Sequence, residues 1–214
     1  MFIVLEGIDG SGTTTQLTRL QRAIEARGHR VHPTREPSGG PVGRLLRQVL
    51  TGTLLVESGP LRFDFCTMAL LFAADRMDHV RREIEPALER NEIVVCDRYD
   101  LSSLIYQSET SPDAEAYLPW LASLNARAIR PDLTVVLAVD AGVALERRRA
   151  RGGAEELFEV PELQVRLAAR YAEAPRFLPA DRLVVLDGNG TLDDVERAIL
   201  AEVLPHLRPA DRGP

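Results

Sequence analysis

The chain has 214 residues, 45% of them hydrophobic, which is enough for one α/β domain with a substantial core. Its net charge of −6 argues against a protein that binds duplex nucleic acid, although all 26 of its basic residues are arginine. No apolar run reaches the roughly 20 residues that span a bilayer, and no signal-peptide pattern precedes the first apolar run. Because Cys66 and Cys96 lie in apolar stretches typical of reduced core thiols, we expect a cytoplasmic protein.

Strand-like and helix-like patterns alternate along the chain. Short apolar runs predict buried strands at residues 2–6, 31–35, 92–96, 133–139 and 183–186. Apolar residues three or four apart predict helices at residues 13–27, 42–50, 101–107, 113–127, 141–151, 161–177 and 192–207. The alternation predicts a three-layer α/β fold, with a central parallel five-stranded sheet and helices on both faces. We expect a single domain over residues 1–207 and a frayed tail over 208–214.

The stretch 61–90 predicts either two consecutive helices or one bent helix. Met68 and Phe72 mark the first apolar face, and Val80 and Ile84 mark the next. Pro86 lacks an amide donor, so we expect it to weaken or kink the second part.

A glycine-rich turn follows the first predicted strand. Gly7, Gly12 and Thr14 fit the phosphate-binding pattern G-x-x-x-x-G-K-[ST], in which loop amides and a helix N-terminus hold phosphate oxygens. Thr13 stands at the lysine position of the pattern, and the chain has no lysine elsewhere that could replace it. The turn alone is equally compatible with an ordinary strand-to-helix connection, so its interpretation depends on the other motifs.

Further motifs follow in the order expected of one enzyme family. They lie at residues 6–12 with 14–16, 34–37, 70–76, 97–103 with 106–107, 131–134 with 139–140, and 147–152. With these motifs the chain resembles bacterial thymidylate kinases, of the P-loop nucleoside-monophosphate kinase group. The resemblance implies the P-loop NTPase fold.

The resemblance implies an acceptor site for dTMP. Phe72 would stack on the thymine, and Arg76 on the same helix face would reach the base edge. Periodicity alone favours a core aromatic for Phe72, and a solvated helix arginine is the ordinary interpretation of Arg76. Asp9 would hold the sugar 3′-hydroxyl near the monophosphate. The other substrate-binding residues implied are Arg35, Glu36, Pro37, Arg98, Ser102, Ser103, Tyr106 and Gln107.

The resemblance also implies a donor site along the glycine-rich turn. The ATP-binding residues would be Gly7, Ile8, Asp9, Gly10, Ser11, Gly12, Thr13, Thr14 and Thr15. Thr14 and Asp97 would hold Mg²⁺, although Asp97 could instead cap the following helix. The catalytic residues implied are Asp9, Arg98, Arg147 and Arg151.

The basic run at the end of the helix 141–151 resembles the start of a mobile lid, at about residues 147–160. A solvated helix end, favourable for the helix dipole, is its ordinary alternative. Many bacterial members of the family carry an Asp-Arg pair just after this run, where this chain has Gly153-Ala-Glu-Glu156. The chain therefore departs from the family pattern at two cations, the loop lysine and a lid arginine.

The implied reaction is phosphoryl transfer from ATP to dTMP, giving ADP and dTDP, with Mg²⁺ as cofactor. The resemblance implies a homodimer, formed through long helices such as residues 61–76. No nucleic-acid or membrane partner is expected. Two alternatives stay open, a nucleotide-binding protein that no longer transfers phosphate and a kinase for another deoxypyrimidine monophosphate.

Overall fold

The computed structural model describes residues 1–57, 59–152, 157–158 and 160–207. The strands of this part are β1 Phe2–Gly7, β2 Val31–Arg35, β3 Leu55–Val56, β4 Gly59–Pro60, β5 Ile93–Asp97, β6 Leu133–Ala138 and β7 Leu183–Asp187. The helices are α1 Thr13–Glu25, α2 Pro41–Leu50, α3 Phe65–His79, α4 Glu85–Glu89, α5 Asp100–Thr110, α6 Ala114–Asn125, α7 Ala141–Arg151, α8 Pro161–Ala172 and α9 Leu192–Val203. The predicted tail 208–214 and much of the predicted lid, at 153–156 and 159, lie outside these residues.

A parallel sheet of five strands forms the centre of the fold, in the order β2-β5-β1-β6-β7. This confirms the predicted α/β fold, and the predicted strand positions agree with the observed ones to within one or two residues. The order reverses at β1, so the glycine-rich turn leaves the middle of the sheet beside the end of β5. Open parallel sheets bind ligands at this point, at the carboxyl ends of their strands.

Both faces of the sheet are covered because side chains alternate along each buried strand. Ile3 and Leu5 of β1 belong to one core cluster with residues of α1, α8 and α9. Phe2 and Val4 belong to a second cluster on the other face, with Val80 and other residues that precede β5. Helix packing on both sides therefore explains why the strands read as continuous apolar runs.

The stretch 61–90 is helical from Phe65 to Glu89, but its hydrogen-bond pattern changes on the way. A π-helical segment, Val80–Ile84, joins α3 to α4, and Pro86 lies in the first turn of α4. Pro86 cannot donate to the carbonyl one α-helical turn earlier, so the interruption lies directly before it. The predicted interruption is thus a local change of helix type.

The sequence patterns did not predict the small hairpin of β3 and β4. Each strand has two residues, too few for any alternation to be visible, and Leu55 and Val56 are exposed. Within the part of the chain that the structure describes, no helix combines the length and the apolar character required to traverse a bilayer.

Candidate active site

The turn between β1 and α1 has the backbone of an anion-binding loop. Gly10 and Gly12 have φ angles of 91° and 95°, which glycine adopts freely. A Cβ at Gly10 would lie 2.3 Å from the Ala144 carbonyl oxygen, so α7 packs directly against the loop. Helix α1 begins after Gly12 without a side-chain cap, which leaves its first N–H groups available to a ligand. The side chain of Thr13 is buried at the start of this helix.

Thr14 and Asp97 come together where α1 begins and β5 ends. The Thr14 hydroxyl donates to Oδ2 of Asp97. The other oxygen, Oδ1, is buried and has no hydrogen-bond partner among the described residues. No cluster of three or more His, Cys, Asp or Glu side chains suited to a metal occurs in that part of the chain. One carboxylate and one hydroxyl fit Mg²⁺, which usually takes few protein ligands and completes its shell with phosphate and water.

Arg98 follows β5 and reaches back across the glycine-rich loop. Its Nη2 donates to Oδ1 of Asp9 at 2.7 Å, and its Nη1 lies 3.2 Å from the Tyr106 hydroxyl. Nη1 is also 3.4 Å from the hydroxyls of Ser102 and Tyr171. Burial opposes the charge on Arg98, but Tyr106 and Asp9 outweigh it and raise the Arg98 pKa well above its usual value. The guanidinium is therefore a permanent, positioned cation.

Arg76 is buried, not solvated, and its guanidinium is occupied by protein acceptors. Nη2 donates to Oε2 of Glu36 at 2.6 Å, to the Tyr99 carbonyl at 2.9 Å and to the Ser103 hydroxyl at 3.2 Å. Nε is buried without a hydrogen-bond partner in the described part of the chain. His79 approaches the other oxygen of Glu36 at 3.2 Å. Arg76 thus holds the loop that begins at Glu36, besides lining the cleft described next.

A cleft of about 220 Å³ joins these groups. It brings together most of the residues predicted for the acceptor, the metal and part of the lid. Its lining includes Asp9, Thr14, Arg35, Glu36, Pro37, Phe72, Arg76, Asp97, Arg98, Ser102, Ser103, Tyr106, Gln107 and Arg151. Phe72 is half-buried, packed against a core cluster and open to the cleft on one side.

The arginines of α7 face different surroundings. Arg147 donates to the backbone carbonyls of residues 188–190 at 2.9–3.2 Å and approaches the Ser11 carbonyl at 3.4 Å. Arg151, one helical turn later, is exposed and lines the cleft. Arg149 is exposed and is not part of the cleft lining. Within the predicted basic run, the structure brings Arg151 into the cleft and turns Arg147 toward the loop 188–190.

Comparison with known proteins identifies the family of the chain. The sequence profile of the thymidylate kinase family matches residues 5–199. A thymidylate kinase from Ruegeria pomeroyi is 39% identical over 209 residues, which cover 97% of this chain and 96% of the relative. A probable thymidylate kinase from Pyrococcus horikoshii is 37% identical over 206 residues, covering 96% and 97%. The chain belongs to the thymidylate kinase family.

Membership in the thymidylate kinase family confirms the predicted activity, phosphorylation of dTMP to dTDP. It also confirms the predicted class, a nucleotide-binding transferase. A third relative, a thymidylate kinase from Pelobacter propionicus, is 37% identical over 210 residues, with 95% of this chain and 93% of the relative covered. The residues assigned to individual roles stay predictions, which the following section argues from the geometry.

Sequence reasoning missed several residues that contact the predicted site residues. Gln164 of α8 donates to Oδ2 of Asp9 at 3.3 Å and to the Phe158 carbonyl at 2.8 Å. Tyr171 of the same helix lies beside Arg98. Nothing in the sequence singles out either residue, because both are compatible with the amphipathic pattern of α8. Glu6 did have one, since it is a lone acid inside a buried apolar strand.

Proposed function

We propose that this family member phosphorylates dTMP in the cleft between β1, β5 and α7, with Mg·ATP as the donor. One observation carries the proposal. The Thr14–Asp97 pair and the Asp9–Arg98 pair line the same cleft as Phe72. The proposed metal ligands, a cation for the acceptor phosphate and an aromatic face for a base would therefore share one cavity, which Asp9 and Thr14 of the glycine-rich turn also line.

The donor phosphates would bind along residues 7–15, at the uncapped N-terminus of α1. Thr14 and Asp97 would hold Mg²⁺, which neutralises charge on the donor phosphates and polarises them. The buried, unpartnered oxygen of Asp97 supports this assignment, since a buried acceptor without a donor is costly unless a ligand satisfies it.

The acceptor would lie against α3 and α5. Phe72 offers its half-buried face to the base, and Asp9 stands beside Arg98 for the sugar and the monophosphate. Glu36 and Arg76 form an ion pair in the wall of the cleft, and we propose that this pair shapes the floor of the acceptor site. The Nε of Arg76, which has no partner in the described part of the chain, would donate to the edge of the base. Ser102, Ser103, Tyr106 and Gln107 complete the proposed wall.

The reaction needs no general base in this arrangement. A phosphate monoester has a second pKa near ~6, so the attacking oxygen of dTMP is largely ionised at neutral pH. The protein's task is to align the two nucleotides and to neutralise charge on the moving phosphoryl group. Positive charge at the cleft is therefore expected to contribute strongly to the rate, together with the alignment of the two nucleotides.

Two of the arginines of the cleft are not engaged by protein acceptors in the part of the chain that the structure describes. The arginines that line the cleft in this part are Arg35, Arg47, Arg76, Arg98 and Arg151. Arg76 is paired with Glu36, Arg98 with Asp9, and Arg47 donates to the Pro37 carbonyl at 2.6 Å. Arg35 and Arg151 have no hydrogen-bond or ion-pair partner in the described ranges. We therefore infer that Arg151 supplies the positive charge that Thr13 does not, with Arg35 on the opposite wall.

A coupled assay of ADP release from Mg·ATP and dTMP tests the proposal. The expected result is dTMP-dependent turnover that is lost on chelation of Mg²⁺. Tight dTMP binding with no turnover above buffer would instead favour a binding protein. Faster turnover of dCMP or dUMP than of dTMP would identify a different acceptor. We also propose a homodimer formed through α3, where Leu70 is 51% exposed, and light scattering on the purified chain measures its mass.

A further inference from the structure

Arg98 adopts a backbone conformation that is unfavourable for its residue type. Its φ angle is 70°, in the left-handed region that glycine favours. Strand β5 ends at Asp97 and α5 begins at Asp100, so the chain turns sharply between them. This turn directs the Arg98 guanidinium to Asp9, 2.7 Å away. Because a strained conformation persists only where its surroundings impose it, contacts from outside the turn must hold Arg98 in place.

Glu6 of β1 makes those contacts. Its carboxylate is 0% exposed and accepts the N–H of Tyr99 at 2.8 Å and of Ser102 at 3.2 Å. The Tyr99 side chain makes no capping hydrogen bond, so Glu6 caps α5 from a neighbouring strand. The Tyr99 N–H belongs to the peptide bond that follows Arg98. On the other side, the Arg98 N–H donates to the carbonyl of Leu5, the residue before Glu6, at 2.9 Å.

Two hydroxyls also connect the Glu6 carboxylate to the Arg98 guanidinium. Ser102 donates to Oε2 of Glu6 at 2.6 Å, and the Tyr171 hydroxyl lies 3.2 Å from the same oxygen. Both hydroxyls are 3.4 Å from Nη1 of Arg98. Burial raises the pKa of Glu6, while the hydrogen bond from Ser102 and the charge of Arg98 act in the opposite direction. The carboxylate and the guanidinium thus stabilise each other through a shared pair of hydroxyls.

We propose that Glu6 is a positioning residue for Arg98 in the kinase reaction. Glu6 is not among the described residues that line the cleft, but it fixes both the turn that carries Arg98 and the hydroxyls around its guanidinium. The proposal rests on the proposed role of Arg98 at the acceptor phosphate. It predicts that Glu6 affects phosphoryl transfer only through Arg98, a dependence that a merely structural residue would not show.

A double-mutant cycle in the full chain tests this dependence. The variants are Glu6→Gln, Arg98→Ala and the double variant, each measured for kcat/KM with dTMP and for unfolding in urea. Glu6→Gln is expected to lower kcat/KM by about 10- to 100-fold, because a displacement near 1 Å costs that much in a positioned site. In the Arg98→Ala background the same change is expected to cost less than about twofold, since contacting residues that act as a unit are not additive.

Glu109→Gln is the matched control. Glu109 lies on α5, is 8% exposed and pairs with Arg166 and Arg170 of α8, so the substitution removes one nearly buried carboxylate charge away from the cleft. It is expected to lower stability and to leave kcat/KM unchanged. Should Glu6→Gln not fold, Glu6→Asp keeps the charge and withdraws it by one methylene, and the same cycle applies.

Three outcomes distinguish the positioning role of Glu6 from a purely structural role and from a failure of the proposed role of Arg98. Equal losses from the Glu6 substitution in both backgrounds would overturn the positioning role, as would a folded Glu6 variant with unchanged kcat/KM. A normal kcat/KM in Arg98→Ala alone would instead remove the proposed role of Arg98, whatever the Glu6 variants do.

Discussion

Replacing Arg151 with alanine should slow phosphoryl transfer much more than replacing Arg149. Both are exposed arginines in the last turn of α7, so the two substitutions remove the same charge from the same helix end. Only Arg151 lines the cleft. Two unit charges about 4 Å apart gain about 1 kcal/mol in water and about 4 kcal/mol at the effective dielectric near a protein surface. For an exposed arginine facing a half-open cleft we take about 2–3 kcal/mol, or roughly 30- to 150-fold in rate.

The assay is kcat for ADP release at saturating Mg·ATP and dTMP, with the unfolding free energy measured beside it. Arg151→Ala is expected to lower kcat by that factor and to leave stability nearly unchanged, since exposed charges contribute little to stability. Arg149→Ala is expected to stay within about twofold, because its side chain is exposed and is not among the residues that line the cleft. Equal losses in both variants would mean that the general charge of α7 matters, not one positioned arginine. No loss in Arg151→Ala would refute the assignment and leave Arg35 as the other cleft arginine without a protein partner in the described ranges.

Three further outcomes follow from the geometry of the site. Arg98→Gly should be more stable than Arg98→Ala by about 1 kcal/mol in urea unfolding, because only glycine adopts a φ of 70° without strain; equal stabilities would deny that strain. In thiol labelling of the native protein at pH 8, Cys66 should react and Cys96 should not, because burial and nearby carboxylates raise the Cys96 pKa well above its usual value. Rapid modification of both cysteines would contradict this expectation. Burial raises the Glu6 pKa above its usual 4.5, so the stability of the wild type relative to Glu6→Gln should be greatest below that pH and should fall as the pH rises through the raised pKa. Urea denaturation of both proteins from pH 4 to 8 measures this difference in stability, and a difference that does not change with pH would exclude the shift.

The sheet could be predicted from the sequence because its strands are buried on both faces. Residues 133–139 are an almost unbroken apolar run, and the structure places β6 there, beside β1. A strand that is buried on both faces can be predicted from its continuous apolar composition. The change of helix type at Val80–Ile84 could be expected only in outline, since Pro86 marks an interruption but not its form. The hairpin of β3 and β4 has no periodicity to detect.

The candidate site could be predicted as a set of residues but not as a set of contacts. The sequence leaves Arg76 either at the base edge or in solvent, and the structure buries it against Glu36, 40 positions earlier in the chain. The supporting residues Gln164 and Tyr171 come from α8, far in sequence from Asp9 and Arg98, which they respectively contact. A residue's partners depend on how distant elements meet, so no local pattern carries that information.

The same reasoning explains why counting arginines does not give the charge of the cleft. Because all 26 basic residues are arginine, the sequence offers no chemical distinction among the candidates for the missing lysine. The structure makes that distinction through acceptors. Glu36 pairs with Arg76, Asp9 pairs with Arg98, and backbone carbonyls accept hydrogen bonds from Arg147. A guanidinium already satisfied by the protein gains less from a phosphate than a free one, because the new contact replaces an existing one. The distribution of carboxylates and carbonyls therefore decides which cleft arginines keep an unpaired charge, and among those that line the cleft in the described ranges we expect Arg151 to act where Thr13 cannot.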